Sequence, residues 1–254
     1  MPATCGRPAW SVQAFAKVNI ASSGGVPRVV FVTGSDTGVG KTVFACLLAR
    51  HMFQRGLSVT AYKPLCSGGR ADALALQAAL GGIPDIERLN PWHFRAPVAP
   101  LLAARREGKV IRLADVVAGA KRLLLEHDFL IVEGAGGLLS PMGEGFNALD
   151  LIRRLHALPV VVCPNRLGVV NQALLVLAAL PGVYGQRAQT VLVGQREPDA
   201  SAASNAALLA EQIGAGWVHS LPWLRREPGG SEVESKVTAM LDGLLAALGL
   251  PSKA

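Results

Sequence analysis

The stretch Val32-Thr33-Gly34-Ser35-Asp36-Thr37-Gly38-Val39-Gly40-Lys41-Thr42 constrains this chain more than any other. It reads as an apolar strand running into a glycine-rich turn, with Lys-Thr and then a helical run over 43–54 directly behind. Such a turn wraps a phosphate in successive backbone N–H groups at a helix N-terminus, and a Cβ inside it would hold the backbone off the anion. Gly34, Gly38 and Gly40, with Val39 between the last two, remove that obstacle. Lys41 then reaches β- and γ-phosphates as a point charge, and the Thr42 hydroxyl ligates Mg²⁺. The spacing departs from the usual G-x-x-x-x-G-K-[ST], because Gly34 lies one residue early and Ser35 holds the usual place. A glycine turn that binds nothing rarely carries Gly-Lys-Thr at a strand-to-helix junction.

Composition narrows the class further. With 50% hydrophobic and only 17% charged residues, 254 residues suffice for one large α/β unit with a substantial core. No apolar run reaches the ~18 residues of a membrane span, so no membrane partner is expected. Cys5, Cys46, Cys66 and Cys163 contain no C-x-x-C pair. That fits neither a zinc site nor a disulfide framework, and it points to a reducing cytoplasm. The formal charge of +7 is spread along the chain, and Arg105-Arg106, Arg153-Arg154 and Arg225-Arg226 are only pairs. This is the charge of a solvated surface rather than of a nucleic-acid-binding arm.

Residues 1–27 mix Pro, Ser, Gly and Ala without the apolar run of a secretory signal. Arg7, Lys17 and Arg28, with no acid before Asp36, faintly resemble an organelle transit peptide. The preferred expectation is a loosely ordered extension or a misplaced start codon, with the folded domain over 28–254. From Arg28 onward apolar strands alternate with amphipathic helices at βαβ spacing. Strands are expected over 29–33, 57–63, 129–133, 159–163, 190–193 and 217–221. Helices are expected over 43–54, 72–80, 113–126, 148–158, 169–180, 202–213 and 232–248. The fold class is therefore α/β, a single doubly wound, mostly parallel sheet flanked by helices.

In such sheets ligands bind beyond the carboxyl ends of the strands. The second expected strand ends in Tyr62-Lys63-Pro64-Leu65-Cys66-Ser67-Gly68-Gly69. Lys63 there is either a loop lysine or a group that neutralises phosphate or a carboxylated substrate, with Ser67 as a further donor. Asp72 alone would serve as a helix N-cap. The third strand ends in Val132-Glu133-Gly134-Ala135-Gly136-Gly137. A carboxylate closing an apolar strand is expensive without a cation, so Glu133 favours a metal beside Lys41 and Thr42. After the fourth strand, Pro164-Asn165-Arg166-Leu167-Gly168-Val169-Val170-Asn171 leads into a helix N-terminus. Its free N–H groups would suit an anionic substrate group, or it is an ordinary loop.

Taken together, the 33–42 turn, Tyr62-Lys63-Pro64, Ser67, Asp72-Ala73-Leu74-Ala75-Leu76-Gln77, Val132 to Gly137 and Arg166-Leu167-Gly168 resemble dethiobiotin synthetase, in the family's order, from about Val29 to Trp223. Leu89-Asn90-Pro91-Trp92-His93-Phe94, Ala96-Pro97-Val98-Ala99-Pro100 and Leu221-Pro222-Trp223-Leu224 extend the resemblance.

The resemblance implies a P-loop NTPase-like ligase of biotin biosynthesis, cytoplasmic and homodimeric, that uses ATP or another nucleoside triphosphate. The family makes dethiobiotin from 7,8-diaminononanoate and CO₂ through a carbamate and its phosphoric anhydride. It implies catalytic roles for Lys63, Lys41 and Thr37, and Mg²⁺ on Thr42, Asp72 and Glu133. It also implies nucleotide contacts at 38–42, Glu133, Gly194 and Gln195, and substrate contacts at Thr37, Lys63, Ser67, Gly136, Gly168 and Asn171. There are departures. Gly38 stands where some relatives carry Glu, and the loop from Ser67 to Asp72 is short. Val193-Gly194-Gln195-Arg196-Glu197-Pro198 lacks the Asn-Asp that many relatives use near the base. The rival reading is a ParA/MinD-like nucleotide switch, which typically carries an early loop lysine where Ser35 and Asp36 stand and a catalytic Asp after strand two. A cobyrinate-type amidotransferase is a further rival, but residues after Trp223 are too few for its glutaminase domain.

Overall fold

Val29–Gly34 (β1) is buried along its whole length, which a strand covered on both faces permits. Val29 and Phe31 join one hydrophobic cluster while Val30 and Val32 join another, as a two-residue side-chain period demands. In the computed structural model, which describes residues 28–224 and 231–251, β1 lies inside a six-stranded sheet. The expected extension over 1–27 and the pair Arg225-Arg226 lie outside the described residues.

Behind β1 come α1 (Lys41–Gln54), β2 (Val59–Tyr62), β3 (Leu65–Ser67), α2 (Ala71–Ala79), α3 (Ile86–Leu89), β4 (Trp92–Phe94), α4 (Pro100–Arg106) and α5 (Leu113–Leu123). Next are β5 (Phe129–Glu133), β6 (Pro141–Gly143), β7 (Phe146–Asn147), α6 (Ala148–Leu155), β8 (Leu158–Pro164), α7 (Val169–Ala179) and α8 (Val183–Arg187). The described chain closes with β9 (Gln189–Val193), α9 (Asn205–Ile213), β10 (Val218–Leu221) and α10 (Ser231–Leu248). The sheet runs β10-β9-β8-β1-β5-β2, and each of its pairings is parallel. The expected doubly wound α/β fold is what forms.

One face of the sheet packs on α1 and α10 through Phe44, Leu48, Met52, Leu241, Leu244 and Leu245. The other packs on α5, α6 and α7 through Val116, Ala120, Leu151, Ile152, Ala173 and Leu177. The chain leaves β1 for β2, returns to fill the gap with β5, and then crosses to β8 on the other side. The strand order thus reverses at β1, and the crevice beyond its carboxyl end is where ligands bind in sheets of this kind. The six strands fall where expected, with small changes at their ends. The second strand stops at Tyr62, since the Lys63 N–H donates to the Leu89 carbonyl (2.9 Å) instead of to the sheet.

Larger differences have local causes. The helix expected over 148–158 ends at Leu155, because His156 turns into the left-handed region (φ 49°) and the chain enters β8. The helix expected from 202 starts at Asn205, since the Asp199 carboxylate accepts from the Ser201 N–H (2.9 Å) and holds a turn there. The 113–126 helix stops at Leu123, and Trp217 belongs to a short 3₁₀ turn rather than to β10. Arg70, not Asp72, is the N-cap of α2, and Asp72 lies in its first turn. The parallel pair β3–β4, the hairpin β6–β7 and the short helices α3, α4 and α8 were not expected.

Phe31 is fully buried at the middle of β1, and a Cβ on Gly134 would come within 3.0 Å of its ring. Phe31→Ala should therefore cost about 3–5 kcal/mol, read as a lower urea midpoint with unchanged slope. A loss under about 1 kcal/mol would show that this position is not central to the packing.

Candidate functional site

The 33–42 turn is held open by three different demands on its glycines. A Cβ on Gly34 would meet Val39 at 2.8 Å and Lys41 Cδ at 3.2 Å, while Gly38 and Gly40 adopt positive φ (73° and 100°). Gly40 is the N-cap of α1, offers no side chain to cap it, and is followed by no acid in the first turn. The α1 N-terminus therefore presents its N–H groups and the positive end of its dipole to the crevice. Lys41 lies beside them, its Nζ donating to the Asp36 carbonyl at 2.7 Å. Burial, and then the nearby Lys63 charge, lower its pKa to about 8.

Opposite the turn is a compact ionic cluster. Glu133, the last residue of β5, is 1% exposed, and Lys63, the residue after β2, is 3% exposed. Lys63 Nζ donates to Glu133 Oε1 (2.5 Å) and to the Gly134 carbonyl (3.3 Å), and pairs with Asp72 Oδ2 (3.0 Å). Thr42 Oγ1 donates to the same Glu133 oxygen at 2.8 Å, while Glu133 Oε2 is buried without a hydrogen-bond partner. Burial opposes the Lys63 charge, yet Glu133 and Asp72 outweigh it and raise the lysine's pKa. Burial likewise works against the Asp72 carboxylate, but Lys63 holds its pKa below the usual range.

These groups share one cavity of about 650 Å³. Of the residues named from sequence, it brings together Thr37, Gly38, Gly40, Lys41, Thr42, Lys63, Ser67, Asp72, Glu133 and Gly136. Val39 lies behind the turn in the core, where its side chain packs on Gly34. Gly194 and Gln195 are not in the cavity wall; they follow β9, whose last residue, Val193, stands 3.2 Å from where a Gly40 Cβ would be. The Gly194 N–H donates to the Leu221 carbonyl (2.7 Å) and the Gln195 amide donates back to the Val193 carbonyl (2.8 Å). Gly168 and Asn171 also stand apart, Gly168 as the left-handed N-cap of α7 and Asn171 exposed in its first turn.

Sequence reasoning gave no individual role to two supporting residues. Asn90, fully buried, donates to the Lys63 carbonyl (2.6 Å) and accepts from Arg70 Nε (3.0 Å), which fixes the backbone on which Lys63 stands. Ser140 lines the cavity and accepts from the Gly137 N–H at 2.9 Å, pinning the glycine turn after β5. Neither position carries a local signal: an Asn before Pro and a loop Ser are ordinary turn residues.

The oxygen donors suit Mg²⁺, a hard cation usually held by one or two carboxylates together with substrate phosphates. The unpartnered Glu133 Oε2 beside the Thr42 hydroxyl is the kind of buried acceptor such an ion satisfies. Among the described residues no group of three or more His, Cys, Asp or Glu could hold a metal by itself, and no helix is long and apolar enough to cross a membrane.

An AAA domain family model matches residues 28–226. The chain is 40% identical over 202 residues to the ATP-dependent dethiobiotin synthetase BioD of Anaeromyxobacter dehalogenans, covering 77% of this chain and 90% of that one. It is 33% identical over 208 residues to the protein of the same name from Baumannia cicadellinicola, covering 78% and 92%. Among solved structures, a plasmid partition protein from Borrelia burgdorferi bound to AMPPNP aligns with a TM-score of 0.56 at 11% identity, covering 87% of this chain and 99% of that one. At that identity the likeness is one of fold.

Cys66 also lines the cavity, two residues after Pro64. It is not a nucleophile in waiting, because burial pushes its thiol up to about 11. Near pH 7.5 the thiol is therefore overwhelmingly protonated. Iodoacetamide at that pH should leave Cys66 unmodified in the native chain while labelling it fully in urea. Rapid native labelling, seen by peptide mass, would show that the thiol is more reactive than its surroundings imply.

Proposed function

Because this chain belongs to the ATP-dependent dethiobiotin synthetase family, a nucleotide-dependent ligase family of biotin biosynthesis, we propose that it forms dethiobiotin from 7,8-diaminononanoate, CO₂ and a nucleoside triphosphate by way of a carbamate. One substrate amine adds to CO₂ and loses a proton. A carbamate oxygen then attacks the γ-phosphorus, and nucleoside diphosphate leaves. The second amine attacks the activated carbonyl carbon, and phosphate leaves as the ureido ring closes. The observation that carries this reading is a single cavity uniting a phosphate-wrapping turn, a buried lysine and paired carboxylates.

Each residue has a task in this scheme. The α1 N-terminus and Lys41 grip the triphosphate and offset the charge moving onto the transferred phosphoryl group. Thr42, Asp72 and Glu133 would hold Mg²⁺, which when bound neutralises charge on the β- and γ-phosphoryl oxygens. Lys63 faces the carbamate, and Thr37, Ser67 and Gly136 orient the diamine. Orientation of this kind is worth roughly 7–11 kcal/mol over free encounter.

The N-terminus of α7, from Gly168 to Asn171, takes the substrate carboxylate across a homodimer interface. Supporting this, Leu167 and Leu175 are 79% and 63% exposed on or beside that helix. The enzyme works in the cytoplasm on small molecules, without nucleic acid or membrane. Residues 28–254 form its catalytic unit, to which 1–27 is an extension. The fold shared with the partition protein is common to this reading and to a nucleotide switch; a lysine joined to two carboxylates beside the turn suits the ligase chemistry.

Purified protein with diaminononanoate, bicarbonate, Mg²⁺ and ATP should yield dethiobiotin by mass. Phosphate release that ignores the diamine would instead favour the switch. Lys41→Ala should lower kcat/KM by at least about 100-fold with the fold intact, the range seen when a preorganised charge-stabilising donor is removed. Lys63→Ala should lower kcat more than nucleotide affinity. An equal loss in nucleotide binding alone would remove Lys63 from the transfer step.

The base should be read weakly, since the segment after Val193 lacks the Asn-Asp of many relatives and one Gln195 N–H is committed to the Val193 carbonyl. CTP, GTP and UTP should support turnover within about two orders of magnitude of ATP. An ATP preference above about 1000-fold would reveal a side chain that reads adenine.

A further inference from the structure

Lys63 has two claims on it. The transfer step asks its ammonium to face a carbamate, yet in this structure Nζ lies 2.5 Å from Glu133 Oε1 and 3.0 Å from Asp72 Oδ2. Those two carboxylates, with Thr42, are the groups assigned to Mg²⁺, and Thr42 Oγ1 already shares Glu133 Oε1 at 2.8 Å. Two cations cannot sit at ion-pair distance on the same two carboxylates, one of them fully buried, without strong mutual repulsion, even at the effective dielectric of a protein site. Neither can the carboxylates be left bare, because Glu133 is 1% exposed.

We infer that Lys63 and the divalent cation exchange on Glu133 and Asp72. Whichever is on the carboxylates offsets their charge, the lysine by one unit and the ion by two, and metal loading releases Nζ into the cavity that Lys63 lines. Loading the metal and delivering the lysine to substrate are then one event. This rests on the reading of Thr42, Asp72 and Glu133 as metal ligands, and it adds a role for Lys63 as their built-in counter-cation. Three features fit the exchange. Glu133 Oε2 is an unused acceptor for an incoming ion, Asp72 is half-exposed in the cavity wall, and apart from the two carboxylates Lys63 Nζ holds only the Gly134 carbonyl, at 3.3 Å. The side chain can leave the carboxylates without disturbing β2 or β5.

The test uses Mn²⁺ as the probe, titrated into the full chain and read by the electron spin resonance of the free ion. Lys63→Met should bind Mn²⁺ at least about tenfold more tightly than the unaltered chain, because removing a like charge at ion-pair range outweighs the roughly 1.4 kcal/mol that tenfold represents. If Lys63→Met fails to fold at any Mn²⁺ concentration, the unaltered chain decides the matter. Acetic anhydride labelling of Lys63, followed by peptide mass, should rise several-fold at saturating Mn²⁺ while exposed Lys236 does not change. Unchanged or weaker Mn²⁺ affinity in Lys63→Met, or a Lys63 that stays protected at saturating Mn²⁺, overturns the exchange. Dethiobiotin formation by the unaltered chain is scored separately. Product formed alongside either negative result sinks only the exchange, whereas no product sinks the catalytic reading.

Discussion

The contact between the Lys63 ammonium and the Glu133 carboxylate is the constraint on which the rest of the site depends. Both groups are almost fully buried, and withdrawing two such charges from water costs several kcal/mol per ion unless the geometry returns it. The sheet supplies that geometry. β2 and β5 pair in register with Tyr62 opposite Val132, so the next residues, Lys63 just past β2 and Glu133 at the end of β5, stand side by side. β1 pairs with β5 through Val32 and Glu133, which brings the glycine turn to the same edge. Moving β2 one place in the strand order would separate the lysine from the carboxylate and leave each buried alone.

The glycine turn obeys a second constraint, the close approach of backbone to backbone. Gly34 has no room for a Cβ, and Gly38 and Gly40 need a φ that L side chains rarely adopt. The turn is thus specified by what it lacks, while the ionic cluster opposite is specified by what it contains. A phosphate between them would meet N–H groups and Lys41 on one side and, on the other, Lys63 amid its two carboxylates. The cavity is prepared for a dense negative charge before any particular substrate is considered.

How much of this could be read from the sequence depended on whether the cause was local. β5 was legible to its exact ends because its apolar run is bounded by a carboxylate and a glycine, and the 33–42 turn because each of its residues has a local conformational reason. Glu133 and Lys63 were legible as strand-end residues. That they touch was not, because pairing between strands about 70 residues apart is set by topology and not by neighbours in the chain. The three-residue strands β3 and β4 are too short to show a period, so Asn90, which joins β4 to Lys63, was legible only as part of a resembling segment and not for its contact. The helix over 148–158 was read too long because Leu155 and Leu158 continue a helical apolar pattern that only the left-handed His156 interrupts.

The support for α1 arrives from far along the chain. Leu241, Leu244 and Leu245 of α10 complete the hydrophobic cluster beneath α1, and Asp242 accepts from Arg55 and joins His51 on that same helix. A ribosome making this protein releases the glycine turn and α1 well before the helix that covers them, whose Asp242 lies 191 residues beyond His51. The glycine turn therefore gains its full support only once α10 has been made. Until then the apolar face of α1 is a surface for chaperones to hold, and an incomplete chain would carry the turn's sequence without its grip.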